Sequence, residues 1–351
     1  MEEVYKRLAK HLDDLPVGFP ATETGVELRI LQRLFTPEEA EAALGLKMVL
    51  EPVSTIAEHL NRDEEDLVPI LETMAQKGLI LKSTRGDIQQ YMAAQFMPGI
   101  WGSRVNDLDE HIVKDFHEYS PSLEREWANL KTKWIRTIPI RQSVSADMQI
   151  MPYEEAERII QSQSKIVVAP CVCRQEQKVA GAGCDKPIDN CLFFSGGAYL
   201  HEERGIGRTI SRDEALQILN EAVEAGLVIQ PGNAQKPMNL CFCCGCCCHM
   251  LKTLKRADRP ALVANSSYYA LVDEAACIAC GTCEDRCQMD AVTVADTAQI
   301  DLDQCIGCGL CVPTCEFGAI RLVEKETSEK WVPPRNTTET FLNIAKERGK
   351  V

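Results

Sequence analysis

The sequence predicts an α+β protein with an N-terminal helical domain, a cysteine-rich domain and a C-terminal domain made of two similar halves. Residues 1–100 contain no cysteine and place apolar residues at helical spacing. Ten cysteines lie between residues 171 and 248. The remaining eight of the 18 fall in two segments of identical spacing within residues 263–323. Cysteine placement therefore divides the chain more clearly than hydropathy does.

Length and charge narrow the class of protein. A chain of 351 residues is long enough for two or three domains and a real hydrophobic core. The net charge of −14 argues against a nucleic-acid partner. We find no apolar run long enough to span a membrane, and the N-terminus lacks the apolar segment of a secretory signal. We therefore expect a cytoplasmic protein, in which cysteines stay reduced and act as metal ligands or redox groups.

The first domain, residues 1–100, is expected to be mainly helical. The segment "TGVELRILQRL" (24–34) carries apolar residues on one helical face. Residues 52–94 read as helix, turn, helix and then a hairpin around Arg85-Gly86-Asp87. The expected helix signals are caps at Ser54 or Thr55 and at Asn61 or Asp63, and a stop at Gly78. This segment resembles a winged helix-turn-helix domain.

The charge of that domain opposes DNA binding. The end of the second helix that would face the bases reads "RDEED" (62–66). Residues 1–100 hold ten Lys or Arg against 17 Asp or Glu. Because each phosphate contact needs a cation, we expect protein docking or a structural role instead of DNA binding.

The remaining boundaries follow composition. Residues 101–165 have no cysteine and read as a helical arm or linker, and residues 166–262 as a cysteine-rich domain. That domain should begin with a strand near 166–174 and contain a helix within 210–229, with Ser211 and Glu214 as a capping box. Residues 263–323 form the repeated domain, and residues 324–351 form a tail.

The repeated domain carries the sharpest motif. "CIACGTCEDRC" (277–287) and "CIGCGLCVPTC" (305–315) share the spacing C-x2-C-x2-C-x3-C. This repeat, at about residues 268–323, resembles the bacterial-type ferredoxin with two [4Fe–4S] clusters. The resemblance implies one cluster on Cys277, Cys280, Cys283 and Cys315, and a second on Cys305, Cys308, Cys311 and Cys287. Gln288 and Glu316 stand where that family usually has proline.

The other ten cysteines form two groups. Cys171, Cys173, Cys184 and Cys191 follow the spacing C-x-C-x10-C-x6-C, in a loop rich in Gly, Asp and Pro. The stretch "CFCCGCCC" supplies six more: Cys241, Cys243, Cys244, Cys246, Cys247 and Cys248. The helix within 210–229 could bring the two groups together.

Three interpretations remain open for these ten cysteines. They could ligate one or two further [4Fe–4S] clusters, which the presence of a cluster-loaded domain in the same chain favours. They could form one structural zinc site from the 171–191 set, with the 241–248 stretch reactive or disulfide-bonded. They could also be a redox-active thiol array. Since neighbouring cysteines point apart in an extended backbone, the stretch could serve two clusters on opposite sides of one strand.

His249 follows this stretch directly and has two interpretations. It could ligate a cluster, as histidine does in Rieske centres, or it could lie beside the site as a hydrogen-bond donor.

These patterns indicate an iron–sulfur electron-transfer protein of anaerobic metabolism, passing low-potential electrons to a partner protein or a larger oxidoreductase complex. No dinucleotide or P-loop motif is present in the sequence. The sequence does not settle whether the chain is itself an enzyme. The alternatives are a ferredoxin-dependent reductase with its active site in the 171–248 region, and a redox-sensing transcriptional regulator.

Overall fold

A computed structural model describes residues 2–148 and 150–351 of the chain, which mix helices and sheets. The α-helices are α1 (Glu2–Asp14), α2 (Val26–Leu34), α3 (Pro37–Ala43), α4 (Val53–Leu60), α5 (Glu64–Gln76), α6 (Glu110–Ala128), α7 (Ala156–Gln161), α8 (Val172–Val179), α9 (Ser195–Glu203), α10 (Arg212–Glu224), α11 (His249–Arg256), α12 (Pro260–Val263), α13 (Thr282–Arg286) and α14 (Thr337–Glu347). Short 3-10 turns lie at Gly102–Arg104, Arg141–Ser143 and Pro152–Glu154, and a π-turn at Phe96–Ile100.

The strands fall into four sheets. They are β1 (Glu51–Pro52), β2 (Ile80–Arg85), β3 (Ile88–Ala93), β4 (Ile166–Pro170), β5 (Asp189–Phe194), β6 (Arg208–Ile210), β7 (Val228–Pro231), β8 (Asn239–Cys243), β9 (Tyr268–Val272), β10 (Val292–Val294), β11 (Ala298–Ile300) and β12 (Ile320–Glu324). The sheet orders are β1-β3-β2, β6-β4-β5-β8-β7, β12-β9 and β10-β11, and every pairing is antiparallel. No helix among the described residues combines the length and apolar composition needed to cross a bilayer.

The N-terminal helices pack as the hydrophobic pattern predicts. Helix α2 buries Val26, Ile30, Leu31 and Leu34, so the predicted helix at 24–34 is confirmed. Helices α4 and α5 precede the β2–β3 hairpin, whose turn lies at Gly86-Asp87 as expected. The caps predicted at Ser54 or Thr55 are wrong, because Pro52 is the N-cap of α4. Asp63 is the N-cap of α5, as expected, but its side chain makes no capping hydrogen bond.

The segment at 101–165, expected to be an arm, does not stand apart from its neighbours. Helix α6 buries Phe116, Tyr119 and Trp127 in the N-terminal core. The chain after α6 then bridges to β7 through Ile135 and Ile138, which belong to the second core. The segment therefore joins two cores, because its apolar residues are shared between them.

The five-stranded sheet is the frame of the cysteine-rich region. The predicted strand at 166–174 is β4, which begins at Ile166. Helix α10 confirms the helix predicted within 210–229. Only half of its capping box forms, because Ser211 accepts from the Glu214 N–H while the Glu214 carboxylate pairs with Arg208. The second hydrophobic core continues from this sheet into the C-terminal domain.

The tail returns to the first domain. The side chain of Asn336 caps α14 by accepting the Glu339 N–H. The Glu347 carboxylate accepts from the backbone and hydroxyl of Thr132, and Arg348 pairs with Asp13 at 2.9 Å. These contacts anchor the tail on the protein surface.

Candidate iron–sulfur and metal sites

The first four-cysteine site of the repeated domain is partly open to solvent. One cavity is lined by Cys277, Cys280, Cys283 and Cys315, and we call these four residues the outer set. Cys280 is exposed, and Cys283 is buried. Ile278 and Phe317, each more than half exposed, lie on the same cavity. The outer set therefore has a solvent edge with apolar side chains on its rim.

The second four-cysteine site has no exposed cysteine: Cys311 is buried, and Cys287, Cys305 and Cys308 are half-buried. Burial raises the pKa of Cys308 to about 12, and the nearby sulfurs of Cys287 and Cys305 act in the same direction. Burial and the charges of Cys308, Cys305 and Cys287 also raise the pKa of Cys311. We call Cys287, Cys305, Cys308 and Cys311 the inner set. A raised pKa favours the neutral thiol, and iron binding would replace these protons and neutralise the resulting thiolates.

Backbone amides are directed at these sulfurs in the same way in both halves. The Ala291 N–H donates to Cys287 Sγ at 3.3 Å, and the Ala319 N–H donates to Cys315 Sγ at 3.2 Å. The donor lies four residues after the acceptor in each half. Hydrogen bonds to ligand sulfur stabilise negative charge at a cluster. Both sets therefore fit cube ligation in residue type, grouping and surrounding donors.

The repeated domain is fixed to the cysteine-rich region beside the inner set. Gln288, at the position where proline is usual, accepts the Gly245 N–H through its side-chain oxygen at 2.9 Å. Arg286 donates to the carbonyls of Val223 and Glu224, and Lys255 pairs with Asp290 at 2.6 Å. The departure from the ferredoxin pattern thus supplies a contact between the domains.

Six of the ten remaining cysteines form a closed ring of neighbouring thiols, which we call the ring. The Cys171 thiol neighbours those of Cys173 and Cys191, the Cys248 thiol neighbours those of Cys173 and Cys243, and the Cys241 thiol neighbours those of Cys191 and Cys243. Hydrogen bonds from these neighbours lower the pKa of Cys171, Cys241 and Cys248. The members come from β5, β8 and the first turns of α8 and α11. Cys241 and Cys243 lie on one face of β8 because residues i and i+2 of a strand share a face.

Polar side chains around the ring have unused donors. The Nε of Arg174, the amide nitrogen of Asn190 and the amide nitrogen of Gln230 are buried and have no hydrogen-bond partner among the described residues. Gln230 contacts Cys248 through its oxygen, and Asn239 donates to Cys241 Sγ at 3.3 Å. Burial disfavours the charge of Arg174, yet the negative charges of Cys171 and Cys244 raise its pKa. Buried donors left unpaired are costly, so the surroundings suit an anionic acceptor at the ring.

The last four cysteines gather at a separate point. The Sγ atoms of Cys184, Cys244, Cys246 and Cys247 all lie within 4.8 Å of one another, and we call these four residues the quartet. The Cys247 thiol and the charge of Arg174 hold the pKa of Cys244 at about 5. Cys246 is exposed, and Cys244 and Cys247 are buried.

The structure separates residues that sequence spacing placed together. Cys184 joins the quartet, whereas Cys171, Cys173 and Cys191 join the ring. The alternative of one zinc ion held by the 171–191 set therefore does not fit. The stretch 241–248 is likewise divided. Cys243 and Cys248 belong to the ring, and Cys244, Cys246 and Cys247 belong to the quartet.

His249 is not available as a metal ligand, since both ring nitrogens contact carboxylates. Its Nε2 lies 2.6 Å from Glu176 and its Nδ1 lies 3.1 Å from Glu124. Burial works against its charge, but Glu176 and Glu124 outweigh it and raise the pKa of His249 to about 9. Burial also opposes ionisation of Glu176, but His249 and hydrogen bonds from His117 and Trp101 hold the Glu176 pKa at about 2.

Sequence analysis missed this buried network behind Cys248. Arg256 pairs with the other oxygen of Glu124 at 2.6 Å, which extends the network to the end of α11. Glu176 lies one helical turn after Cys173 in α8, so the two side chains share a face of the helix. This spacing was the one sign in the sequence that a carboxylate lies near the cysteines. Arg208, in the same region, forms a surface ion pair with Glu214.

Comparison with known families supports the repeated domain. Residues 270–293 and 298–321 each match the family model described as a 4Fe-4S binding domain. Neither the curated proteins nor the solved structures contain a match to the chain. The two tandem matches indicate an iron–sulfur electron-transfer protein and fit two clusters, one for each four-cysteine site.

Proposed function

We propose that this chain relays electrons, one at a time, between a partner oxidoreductase and a further iron–sulfur site inside the cysteine-rich region. The outer and inner sets each hold one [4Fe–4S] cluster, with the ligands grouped as the ferredoxin pattern implies. The ring holds the further cluster. A bound cube supplies reversible one-electron chemistry, and its potential depends on burial and hydrogen bonds to sulfur.

The observation that carries this proposal is the shared core of the inner set and the ring. Cys287, Cys305 and Cys308 pack in the same hydrophobic core as Cys243 and Cys248. The outer set instead has an exposed cysteine at the surface. The three groups of ligands thus run from solvent to the interior, an arrangement suited to moving charge inward and away from water.

The partner is expected to dock at the rim of the outer set. Ile278 and Phe317 are 57% and 53% exposed beside Cys280, and exposed apolar side chains at a site favour protein contact. Residues 263–323 hold two Lys or Arg against nine Asp or Glu. We therefore expect a partner with a basic patch around an apolar centre, because complementary charge speeds and orients association.

The N-terminal domain is proposed to be winged-helix-like and to serve in docking. Helices α4 and α5 and the β2–β3 hairpin follow the element order of that domain. Glu64, Glu65 and Asp66 in the first turn of α5 are exposed. An acidic helix end repels phosphate, so we expect no DNA binding of the kind that weakens as the salt concentration rises. Salt-dependent DNA binding would favour the alternative of a redox-sensing regulator.

A ferredoxin-dependent reductase is the second candidate. The ring supplies six thiols where one cube needs four. Around it, buried donors of Arg174, Asn190 and Gln230 have no partner in the part of the chain that the structure describes. Such a site could accept a small anionic substrate as well as a cluster. Substrate consumption driven by dithionite, and lost in Cys191→Ser, would favour this activity over electron relay alone.

The decisive experiment is metal and sulfide analysis of protein purified without oxygen, combined with EPR spectroscopy of the dithionite-reduced sample. The proposal predicts about twelve or more irons per chain with matching sulfide, and about eight would limit the clusters to the repeated domain. A cytoplasmic, anaerobic setting fits a chain whose 18 cysteines are all free of disulfides. Loss of EPR signals within minutes in air would support that setting.

A further inference from the structure

The quartet differs from the other cysteine groups in the spacing of its sulfurs. Cys184 Sγ lies 3.9 Å from Cys244 Sγ and 3.7 Å from Cys247 Sγ, and Cys246 Sγ lies 3.6 Å from Cys247 Sγ. Four thiolates around one ion with metal–sulfur bonds of about 2.3 Å have sulfur–sulfur separations of about 3.8 Å. Three of the six sulfur–sulfur separations are close to this value, and all six are within 4.8 Å, which suits a single tetrahedral ion.

A cube requires a wider group of ligands. Each thiolate of a [4Fe–4S] cluster binds a different iron, so the four sulfurs surround the whole cube and lie farther apart than around one ion. The repeated domain offers an internal comparison. Among the described residues, the quartet is the group in which all ligand atoms fall within 4.8 Å, and neither the outer nor the inner set meets that limit.

We propose that the quartet binds one tetrahedral metal ion, Zn²⁺ or Fe²⁺, and not an iron–sulfur cube. Both ions take four thiolates in this geometry, and soft sulfur ligands exclude hard cations such as Mg²⁺ and Ca²⁺. The inference rests on the proposed function in one respect, that the neighbouring sets hold the clusters. It adds a fourth site to the outer set, the inner set and the ring. Zinc at this site would not carry electrons, because Zn²⁺ has no redox chemistry.

The surroundings indicate what such an ion would do. The Cys248 N–H donates to the Cys244 carbonyl at 3.1 Å, which closes the turn carrying three of the ligands. Gly245 in that turn donates to Gln288 of the repeated domain. Cys184 comes from a different loop, which Lys186 fastens to the end of α10 through the Ala225 carbonyl at 2.8 Å. One ion would therefore hold two loops together at the contact between the domains.

X-ray absorption at the zinc and iron edges of the intact protein provides the first test and needs no variant. We expect about one zinc per chain with four sulfur neighbours at about 2.3 Å. If iron fills the site instead, total iron will exceed acid-labile sulfide by about one, and oxidation will give a high-spin ferric EPR signal typical of isolated iron. Either result supports a single-ion site, and the two ions are told apart by the absorbing edge.

Variants locate the ion. Cys184→Ser and Cys246→Ser should each lose about one zinc or one iron while sulfide stays unchanged. Cys280→Ser, an exposed cysteine of the outer set, is the matched control. It should lower iron and sulfide together and keep the quartet ion. Cys246 is exposed, so its replacement by serine leaves packing intact.

Two results would overturn the inference. Loss of about four irons together with about four sulfides from Cys184→Ser would show a cube at the quartet. Retention of every metal in both variants would show that the four thiols bind none. Iron and sulfide in the repeated domain report separately on the proposed electron-transfer function, which can stand in either case.

Discussion

The eight-cysteine repeat and the ten-cysteine region bring their cysteines together in opposite ways. In the repeat, each group of four draws three cysteines from one short motif and the fourth from the other half. In the ten-cysteine region, the ring and the quartet each draw ligands from segments about 50 residues or more apart, and neighbours such as Cys243 and Cys244 go to different sites. The difference shows that cysteine density alone does not define a site.

The two regions also differ in what surrounds the sulfur. Backbone amides at fixed offsets serve the repeat, whereas side chains of Arg174, Asn190 and Gln230 surround the ring. Backbone donors lie at the same positions in every copy of the motif, and they do not depend on which side chain a residue carries. Side-chain donors can be altered one at a time by substitution, so the surroundings of the ring can change without any change in the positions of its cysteines.

The largest expected effect comes from removing two ring cysteines. Cys191→Ser combined with Cys243→Ser should lose about four or more irons per chain, because the ring cluster loses ligands from both β5 and β8. EPR signals of the outer and inner sets should persist. Iron and sulfide analysis measures the loss, with Cys280→Ser as the control that affects the repeat alone. Unchanged iron would mean that the ring is a thiol array without a cluster.

A smaller effect is expected from the buried network of His249, Glu176 and Glu124, which lies beside the ring and has no counterpart in the repeat. Glu176→Ala leaves the buried His249 cation without its closest partner, so we expect a cost on the order of 3–5 kcal/mol. Thermal unfolding of the anaerobic protein measures it. Glu118→Ala removes an exposed ion pair with Arg29 and should cost about 1 kcal/mol or less. Equal losses in the two variants would contradict a structural role for the network.

The contact between Gly245 of the ten-cysteine region and Gln288 of the repeat is expected to be weakened by one added methyl group at Gly245. A Cβ at Gly245 would overlap the backbone carbonyl of Gln288, so Gly245→Ala should destabilise the protein by about 1–3 kcal/mol. Gly102→Ala is the control, because a Cβ there meets nothing within 4 Å. Limited proteolysis should show faster cleavage between the domains in Gly245→Ala only. Matching cleavage rates would show that the close approach is dispensable.

The smallest expected effect is a difference in stability between substitutions at Gln288 and Glu316, which occupy equivalent positions in the two halves of the repeat. Gln288→Ala removes the acceptor of the Gly245 N–H and should cost about 0.5–1.5 kcal/mol, with both clusters of the repeat retained. Glu316, at the same place in the other half, is exposed, so Glu316→Ala should be nearly neutral. Denaturation midpoints of the two variants measure the difference. A larger loss in Glu316→Ala would reverse our interpretation of the Gln288 contact.

Prediction from sequence succeeded where a local rule governs the structure. The helix at 24–34, the hairpin at 86–87 and the Ser211 cap follow from apolar periodicity and turn chemistry. Prediction failed for the arm at 101–165, and for His249 it left open whether the residue is a ligand or a hydrogen-bond donor beside the site. Burial of α6 between two cores and the pairing of His249 with Glu124 and Glu176 depend on residues far apart in the chain.

The sequence by itself determined that eight cysteines form a tandem 4Fe-4S binding domain, because the spacing of a repeated motif limits which thiols can surround one cube. Only the tertiary structure decided how the other ten divide. Cys241 and Cys243 share one face of β8, because alternate residues of a strand point the same way, and both belong to the ring. The turn between β8 and α11 then carries Cys244, Cys246 and Cys247 to Cys184, which comes from a loop about 60 residues earlier. The division therefore depends on where the strand ends and on a contact between distant segments, and spacing in the sequence specifies neither.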